Sequence, residues 1–164
     1  TNIQFLNSED AINAIVKQDI EMAFITLPES LDARLIKSCL WHDTLCFAVA
    51  KDHPLTKKKQ TLLNELGHFS AILPEQYTTT FQIVQQVFNQ HHLPLTCSMR
   101  VNYLETIKAM VSSGLGWSVL PKSMLDEQVR ALPLNINLER QLGWIRHKQR
   151  SLTNAGKALL TLAQ

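Results

Sequence analysis

The fold class follows from the stretch Val111-Ser112-Ser113-Gly114-Leu115-Gly116-Trp117-Ser118-Val119-Leu120-Pro121. A helix runs into this stretch, and it carries apolar residues at helical spacing: Leu104, Ile107, Met110 and Val111. The helix is predicted to begin at a capping box formed by Asn102-Tyr103-Leu104-Glu105 and to end at Gly114 in a left-handed conformation. The residues after Gly116 form a short apolar run, which predicts a buried strand that Pro121 closes.

The same alternation runs along the rest of the chain. Short apolar runs predict strands at Ile3–Leu6, Ile20–Ile25, Leu45–Ala50, Phe69–Leu73, Cys97–Val101 and Leu142–Ile145. Apolar residues at helical spacing predict helices after Ser8, at 62–66, from Phe81 to His91 and after Thr153. Strands that alternate with helices predict an α/β protein.

Composition and charge exclude several classes of protein. The 164 residues include 16 Lys and Arg against 14 Asp and Glu, so the net charge is +2. This balance predicts no sequence-specific DNA binding by the chain itself. No apolar run approaches the roughly 20 residues of a membrane span, and Thr1–Leu6 does not resemble the start of a signal peptide. We therefore expect no membrane association. Three widely spaced cysteines without a CxxC pair suit reduced thiols and a cytoplasmic location.

The motifs that suggest catalysis or metal binding are incomplete. Gly114-Leu115-Gly116 lacks the third glycine of a dinucleotide-binding loop, because Val119 stands in its place. Gly116-Trp117-Ser118 lacks the closing glycine of a nucleophile elbow. The histidines are scattered, and the neighbouring carboxylates are consecutive residues that suit helix ends. We predict no catalytic residue, no metal site and no cofactor, and we expect that the protein is not an enzyme.

Three stretches in the same order and spacing resemble a known family across essentially the whole chain. They are Lys17–Phe24, the run Leu45–Leu55 that ends in His-Pro-Leu, and Val111–Pro121. Together they are similar to the effector-binding domain of LysR-type transcriptional regulators. The resemblance implies a two-lobed, periplasmic-binding-protein-like (type II) α/β fold with a small-molecule effector in the cleft. The alternative that shares this fold is a solute-binding protein of a transport system.

The resemblance also implies how the chain is divided. Lobe one would comprise residues 1–43 and 141–164, and lobe two residues 44–140. By comparison with the family, we expect that the chain lacks the first strand and helix of lobe one and the N-terminal winged helix-turn-helix. DNA would therefore be bound only through that missing domain. The implied assembly is a homodimer or tetramer. One candidate contact is the run near Ile12–Val16, and the other is the apolar stripe of the helix that starts at Phe81: Phe81, Val84, Val87 and Phe88.

The residues that the resemblance assigns to the effector site are Ser8, Thr26, Thr78, Thr79, Phe81 and Trp117. Three consecutive hydroxyls, Thr78–Thr80, precede the start of a helix, where unpaired N–H groups and a partial positive charge attract an oxyanion. The predicted effector is therefore a small organic anion. Simple capping of the helix by Thr79 or Thr80, capping by Ser8 and a purely structural role for Trp117 stay open as alternatives.

Overall fold

The computed structural model describes residues 2–163, which fall into two compact units. Unit 1 comprises Thr1–His42 and Arg140–Gln164, and unit 2 comprises Asp43–Glu139. The boundaries between the units lie within two strands, β2 at Leu35–Ala50 and β7 at Leu138–His147. Within the described residues, no helix has both the length and the apolar character that a membrane crossing requires.

Unit 1 is built from two helices and three strands. Besides β7 and the first part of β2, it contains α1 at Ser8–Val16, β1 at Met22–Thr26 and α4 at Asn154–Leu162. β1 pairs with β7 in antiparallel orientation, with Met22 opposite Arg146 and Thr26 opposite Leu142. The buried apolar residues form one cluster: Ala11, Ile15, Ile25, Leu27, Leu35 and Ile145. Amphipathic α1 contributes Ala11 and Ile15 to this cluster, which is why its apolar residues recur at helical spacing.

The N-cap residue predicted from the sequence is correct for α4 and wrong for α1. Thr153 caps α4 as predicted, and its Oγ1 accepts a hydrogen bond from the Gly156 N–H at 3.2 Å. At α1, however, the cap is Asn7 rather than Ser8, because the Asn7 side chain accepts the Asp10 N–H at 2.8 Å. Asparagine and serine are similarly good N-cap residues, so the pattern alone did not distinguish two neighbouring positions.

The strand predicted at Ile3–Leu6 is wrong. These residues have no regular secondary structure, and Phe5 is 96% exposed. An alternating apolar pattern predicts a strand, but a strand forms only where a second backbone offers hydrogen bonds. β1 stands at the end of the strand order β1-β7-β2-β5, and its one ladder among the described residues is with β7. Ile3–Leu6 therefore forms no ladder with β1 or with another described strand.

Unit 2 contains the second part of β2 and the elements between it and β7. Its strands are β3 at Ile72–Leu73, β4 at Met99–Arg100, β5 at Ser118–Pro121 and β6 at Val129–Ala131. Its α-helices are α2 at Thr79–Gln90 and α3 at Leu104–Ser112, and its 3-10 helices are Pro54–Lys57, Leu63–His68 and Lys122–Met124. β5 and β6 pair antiparallel with β2, whereas β3 and β4 pair parallel to each other. β6 was not predicted, because it is a three-residue strand with only one buried side chain.

The buried face of α2 packs into the core of unit 2. Phe81, Val84, Val87 and Phe88 are all buried there, together with Trp117 and Phe47. The Trp117 and Phe88 rings are stacked, with centroids 5.8 Å apart and an interplanar angle of 5°. The predicted contact between copies through this stripe is therefore wrong, because the apolar face is already covered inside its own unit.

The two ends of α3 show one correct and one incorrect prediction. Gly114 follows the helix with a φ of +78°, the left-handed conformation predicted for it. The predicted capping box is wrong, because the N-cap is Tyr103 and no side chain caps the helix there. Asn102 instead binds a distant segment, and this contact contributes to the site described next.

Candidate functional site

Two parallel strands of unit 2 end at the same edge. Leu73 at the end of β3 lies opposite Arg100 at the end of β4. The chain continues from β3 to the start of α2, and from β4 to the start of α3. Ligands of α/β proteins commonly bind at the carboxyl ends of parallel strands, where helix N-termini present unpaired N–H groups. We call this edge, with its two following loops and helix starts, the β3–β4 edge.

Asn102 joins the two loops of the β3–β4 edge. Its Oδ1 accepts the Glu75 N–H at 2.9 Å, and its Nδ2 donates to the Tyr77 hydroxyl at 3.1 Å. Both partners lie in the loop between β3 and α2, at least 25 residues away in the chain. These two hydrogen bonds hold the loops together, and they explain why the Asn102 side chain does not cap α3.

The hydroxyl of Thr78 caps α2. Thr78 Oγ1 accepts the Phe81 N–H at 3.2 Å and donates to the Glu75 carbonyl oxygen at 2.7 Å. The residue is only 8% exposed. Capping is therefore by Thr78, and not by Thr79 or Thr80 as the alternative in the sequence analysis had it. Thr79 is the first residue of α2 and is half-buried, whereas Thr80 is buried.

Arg100 also belongs to the β3–β4 edge, although it is not among the predicted site residues. Its guanidinium carbon lies 5.0 Å from the centroid of the Phe81 ring, in the first turn of α2. The side chain is half-buried, and its Nη1 is fully buried without a hydrogen-bond partner among the described residues. The only signal in the sequence was a basic residue at the end of an apolar strand. Basic residues that face solvent are equally common at such positions.

The charges around the start of α2 favour an anion. The first turn of α2 contains no acidic residue, so no carboxylate of its own neutralises the positive end of the helix dipole. The Arg100 guanidinium adds a full positive charge beside the same turn. The first turn of α3, by contrast, carries Glu105. Of the two helix starts at the β3–β4 edge, the start of α2 is therefore the one without an acidic residue in its first turn and with a guanidinium beside it.

In unit 1, the structure brings together two of the predicted site residues. The backbone N–H of Thr26, at the end of β1, donates to the Ser8 hydroxyl at the start of α1, at 3.0 Å. Both residues are half-buried. The pair places two hydroxyl groups at the junction of a strand end and a helix start, although the two residues are 18 positions apart in the sequence.

Trp117 lies in the core of unit 2. It is 1% exposed, and its Nε1 donates to the carbonyl oxygens of Leu66 and Phe69, at 3.1 and 3.2 Å. An indole has no other polar atom to offer a ligand. This placement favours the structural role that the sequence analysis left open, and we do not include Trp117 in the proposed site.

Comparisons with known proteins agree with this architecture. The family model for the LysR substrate binding domain matches residues 1–164. The HTH-type transcriptional regulator YeiE of Escherichia coli K12 is 29% identical over 161 residues, which cover 94% of this chain and 54% of the relative. The chain thus spans about half the length of that relative. Because the relatives are regulators, the comparison supports the regulator and not the solute-binding alternative.

Two solved structures share the fold at low sequence identity. The regulatory domain of CcmR from Synechocystis PCC6803, in complex with 2-PG, has a TM-score of 0.81 at 20% identity, covering 96% of this chain and 78% of that chain. The effector binding domain of QuiR, in complex with shikimate, has a TM-score of 0.84 at 20% identity, covering 96% and 77%. The predicted periplasmic-binding-protein-like (type II) α/β fold is thereby confirmed. The chain belongs to the family of LysR substrate-binding domains.

Proposed function

We propose that this domain senses a small organic anion at the β3–β4 edge of unit 2, and that binding controls transcription by a longer protein. One observation carries the proposal: the starts of α2 and α3 follow two parallel strands that end side by side, and Asn102 joins the intervening loops. Helix starts at the carboxyl ends of strands supply N–H donors without any movement of the backbone.

The proposed ligand contacts are Thr78, Thr79 and the first turn of α2 up to Phe81. Thr78 already uses its hydroxyl twice within the protein, so its contribution is to hold the first turn in place. Thr79, at the first helical position and half-buried, is proposed as a further contact at the helix start. Loss of one hydrogen bond to a charged ligand costs about 1.5–3 kcal/mol, or roughly tenfold to hundredfold in affinity.

The experiment is a thermal-shift screen with small carboxylic acids, followed by titration of the best acid into variants. We expect Thr79→Val to weaken binding about tenfold or more, with binding measured at a temperature where circular dichroism shows the variant to be folded. Thr78→Val should weaken binding and also destabilise the fold by about 1 kcal/mol, because it removes the helix cap. Thr78→Ser keeps the hydroxyl and is the matched control. Unchanged affinity in both valine variants, with the fold intact, would contradict the proposed site.

In unit 1, we propose that Ser8 and Thr26 form a polar patch that binds a small-molecule effector. The proposal is supported by the hydrogen bond from the Thr26 N–H to the Ser8 hydroxyl, which orients that hydroxyl. Ser8→Ala should weaken effector binding, whereas Asn7→Asp should preserve it, since aspartate caps a helix as well as asparagine does. Equal binding by wild type and Ser8→Ala would remove unit 1 from the proposal.

We also propose that the longer protein binds DNA through residues outside these 164. The net charge of +2 supports this division, because it leaves few cations for phosphate contacts. A gel shift with this chain alone should show only weak binding that salt abolishes, and sequence-selective binding that resists salt would overturn the proposal. The similarity to transcriptional regulators supports a role without catalysis, and the three unpaired cysteines support a cytoplasmic location.

Assembly into a homodimer or tetramer remains a proposal, now without the α2 stripe as its contact. Unit 1 offers a different surface, because the edge strand β1 carries Phe24, which is 45% exposed. An edge strand with an exposed aromatic residue favours pairing with another chain. Light scattering of the chain at roughly tens of micromolar should report a dimer or larger species, as expected for an interface of at least about 1,200 Å². Phe24→Lys should shift it toward the monomer, and a monomeric wild type would refute the proposal.

A further inference from the structure

We infer that Arg100 selects the charge of the effector by binding its oxyanion, a carboxylate or a phosphate. The inference rests on the proposed function, because it concerns the same β3–β4 edge. It adds a further residue, Arg100, and a ligand property, charge, that the threonine hydroxyls cannot select. Hydroxyls bind neutral and charged ligands alike, whereas a guanidinium discriminates between them.

The first argument is the state of the guanidinium in the protein. Arg100 Nη1 is buried without a hydrogen-bond partner among the described residues. Buried donors in folded proteins are nearly always satisfied, and those of a charged group are the most costly to leave unpaired. A ligand that pairs with this group would therefore break no existing hydrogen bond of Nη1.

The second argument is the position of Arg100. It ends β4 opposite Leu73, and its guanidinium lies against the Phe81 ring in the first turn of α2. The ring attracts the cation and orients it, yet a ring face is a weaker partner than an oxyanion. Arg100 as a whole residue is half-buried, so part of its surface contacts solvent at this edge.

The third argument is the ligand chemistry. A guanidinium presents a planar fork of N–H donors that matches two oxygens of a carboxylate or phosphate. The start of α2 supplies a partial positive charge beside it, with no acidic residue in that first turn. Both features favour an anion over an uncharged isostere of the same shape.

The test compares malonate, inorganic phosphate and the uncharged isostere malonamide by calorimetric titration. For the wild type we expect malonate, phosphate or both to bind at least about tenfold more tightly than malonamide, and Arg100→Gln to remove that difference. Arg100→Lys keeps the charge but loses the fork, so it should recover part of the affinity. Arg130→Gln, at an exposed arginine on β6, is the matched control and should bind like the wild type.

The outcomes separate this inference from the proposed function. If Thr79→Val weakens anion binding but Arg100→Gln does not, the site stands and the role of Arg100 is refuted. If Arg100→Gln alone weakens it, the inference stands and the hydroxyl contacts are refuted. Equal wild-type affinities for malonate and malonamide, or no binding of either anion, would overturn charge selection. An equal loss for anion and amide in Arg100→Gln would show a structural effect, and would also overturn it.

Discussion

Replacement of Trp117 by phenylalanine tests whether this residue supports the core of unit 2 or contacts the effector. The change removes the Nε1–H, which bonds the carbonyl oxygens of Leu66 and Phe69. The Leu66 oxygen keeps a second hydrogen bond, from the Phe69 N–H at 3.1 Å. The Phe69 oxygen is the acceptor for which the loss of the indole hydrogen bond matters. That loss costs about 1 kcal/mol. The smaller ring leaves a gap beside Phe88 and forfeits roughly 1–2 kcal/mol of burial and packing.

We therefore expect Trp117→Phe to lower the free energy of unfolding by about 2–3 kcal/mol, measured by urea denaturation with circular dichroism. The matched control is Trp41→Phe, at a tryptophan that is 54% exposed, which should change stability by less than about 0.5 kcal/mol. The affinity of the folded variant for malonate should equal that of the wild type. Equal losses of stability in the two variants, or weaker binding by folded Trp117→Phe, would refute the assignment of Trp117 to the core.

Three further predictions concern other parts of the chain. Gly143→Ala should destabilise unit 1 by at least about 1–3 kcal/mol in urea denaturation, because its Cβ would lie 2.0 Å from the Ser38 carbonyl oxygen of β2. Gly67→Ala is the control, and it should be near neutral because its Cβ meets nothing within 4 Å. Hydrogen bonds from Thr153, the N-cap residue of α4, hold the pKa of Glu21 below its usual value of about 4.3. The stability that the Glu21 carboxylate contributes is therefore present above that value and is lost as the pH falls through the lower pKa of the folded state. Glu21→Gln should lose less stability between pH 7 and pH 3 than the wild type, and an equal loss would contradict this. Burial raises the pKa of the Cys46 thiol to about 11, so iodoacetamide should modify exposed Cys39 well before Cys46 at pH 8, as followed by mass spectrometry, and equal rates would be the contrary result.

Local features of the sequence predicted those elements whose stability is local. The left-handed Gly114 and the cap of α4 at Thr153 could be identified because each depends on a few neighbouring residues. The apolar stripe of α2 was visible for the same reason, since its spacing places one face of the helix in a core. The resemblance to the LysR family added the two-lobed, periplasmic-binding-protein-like (type II) form of the α/β fold, which no single motif carried.

The composition of the candidate site depended on contacts between distant residues. Asn102 and Glu75 are 27 positions apart, and nothing in the local pattern around Asn102 indicates that its side chain bonds the loop before α2. The pairing of Ser8 with Thr26 and the contact between Arg100 and Phe81 likewise join separate elements. Residue type and spacing suggest what a side chain can do, but its partner is known only once the chain has folded.

The sequence by itself thus determined the alternation of helices and strands and the family, because periodicity and short motifs are properties of adjacent residues. Only the tertiary structure decided that Ile3–Leu6 forms no strand, that Trp117 is enclosed by the core and that Arg100 stands beside the start of α2. The physical reason is common to all three. A strand needs a partner backbone, burial needs covering elements, and a charged group takes its role from the groups that the fold places around it.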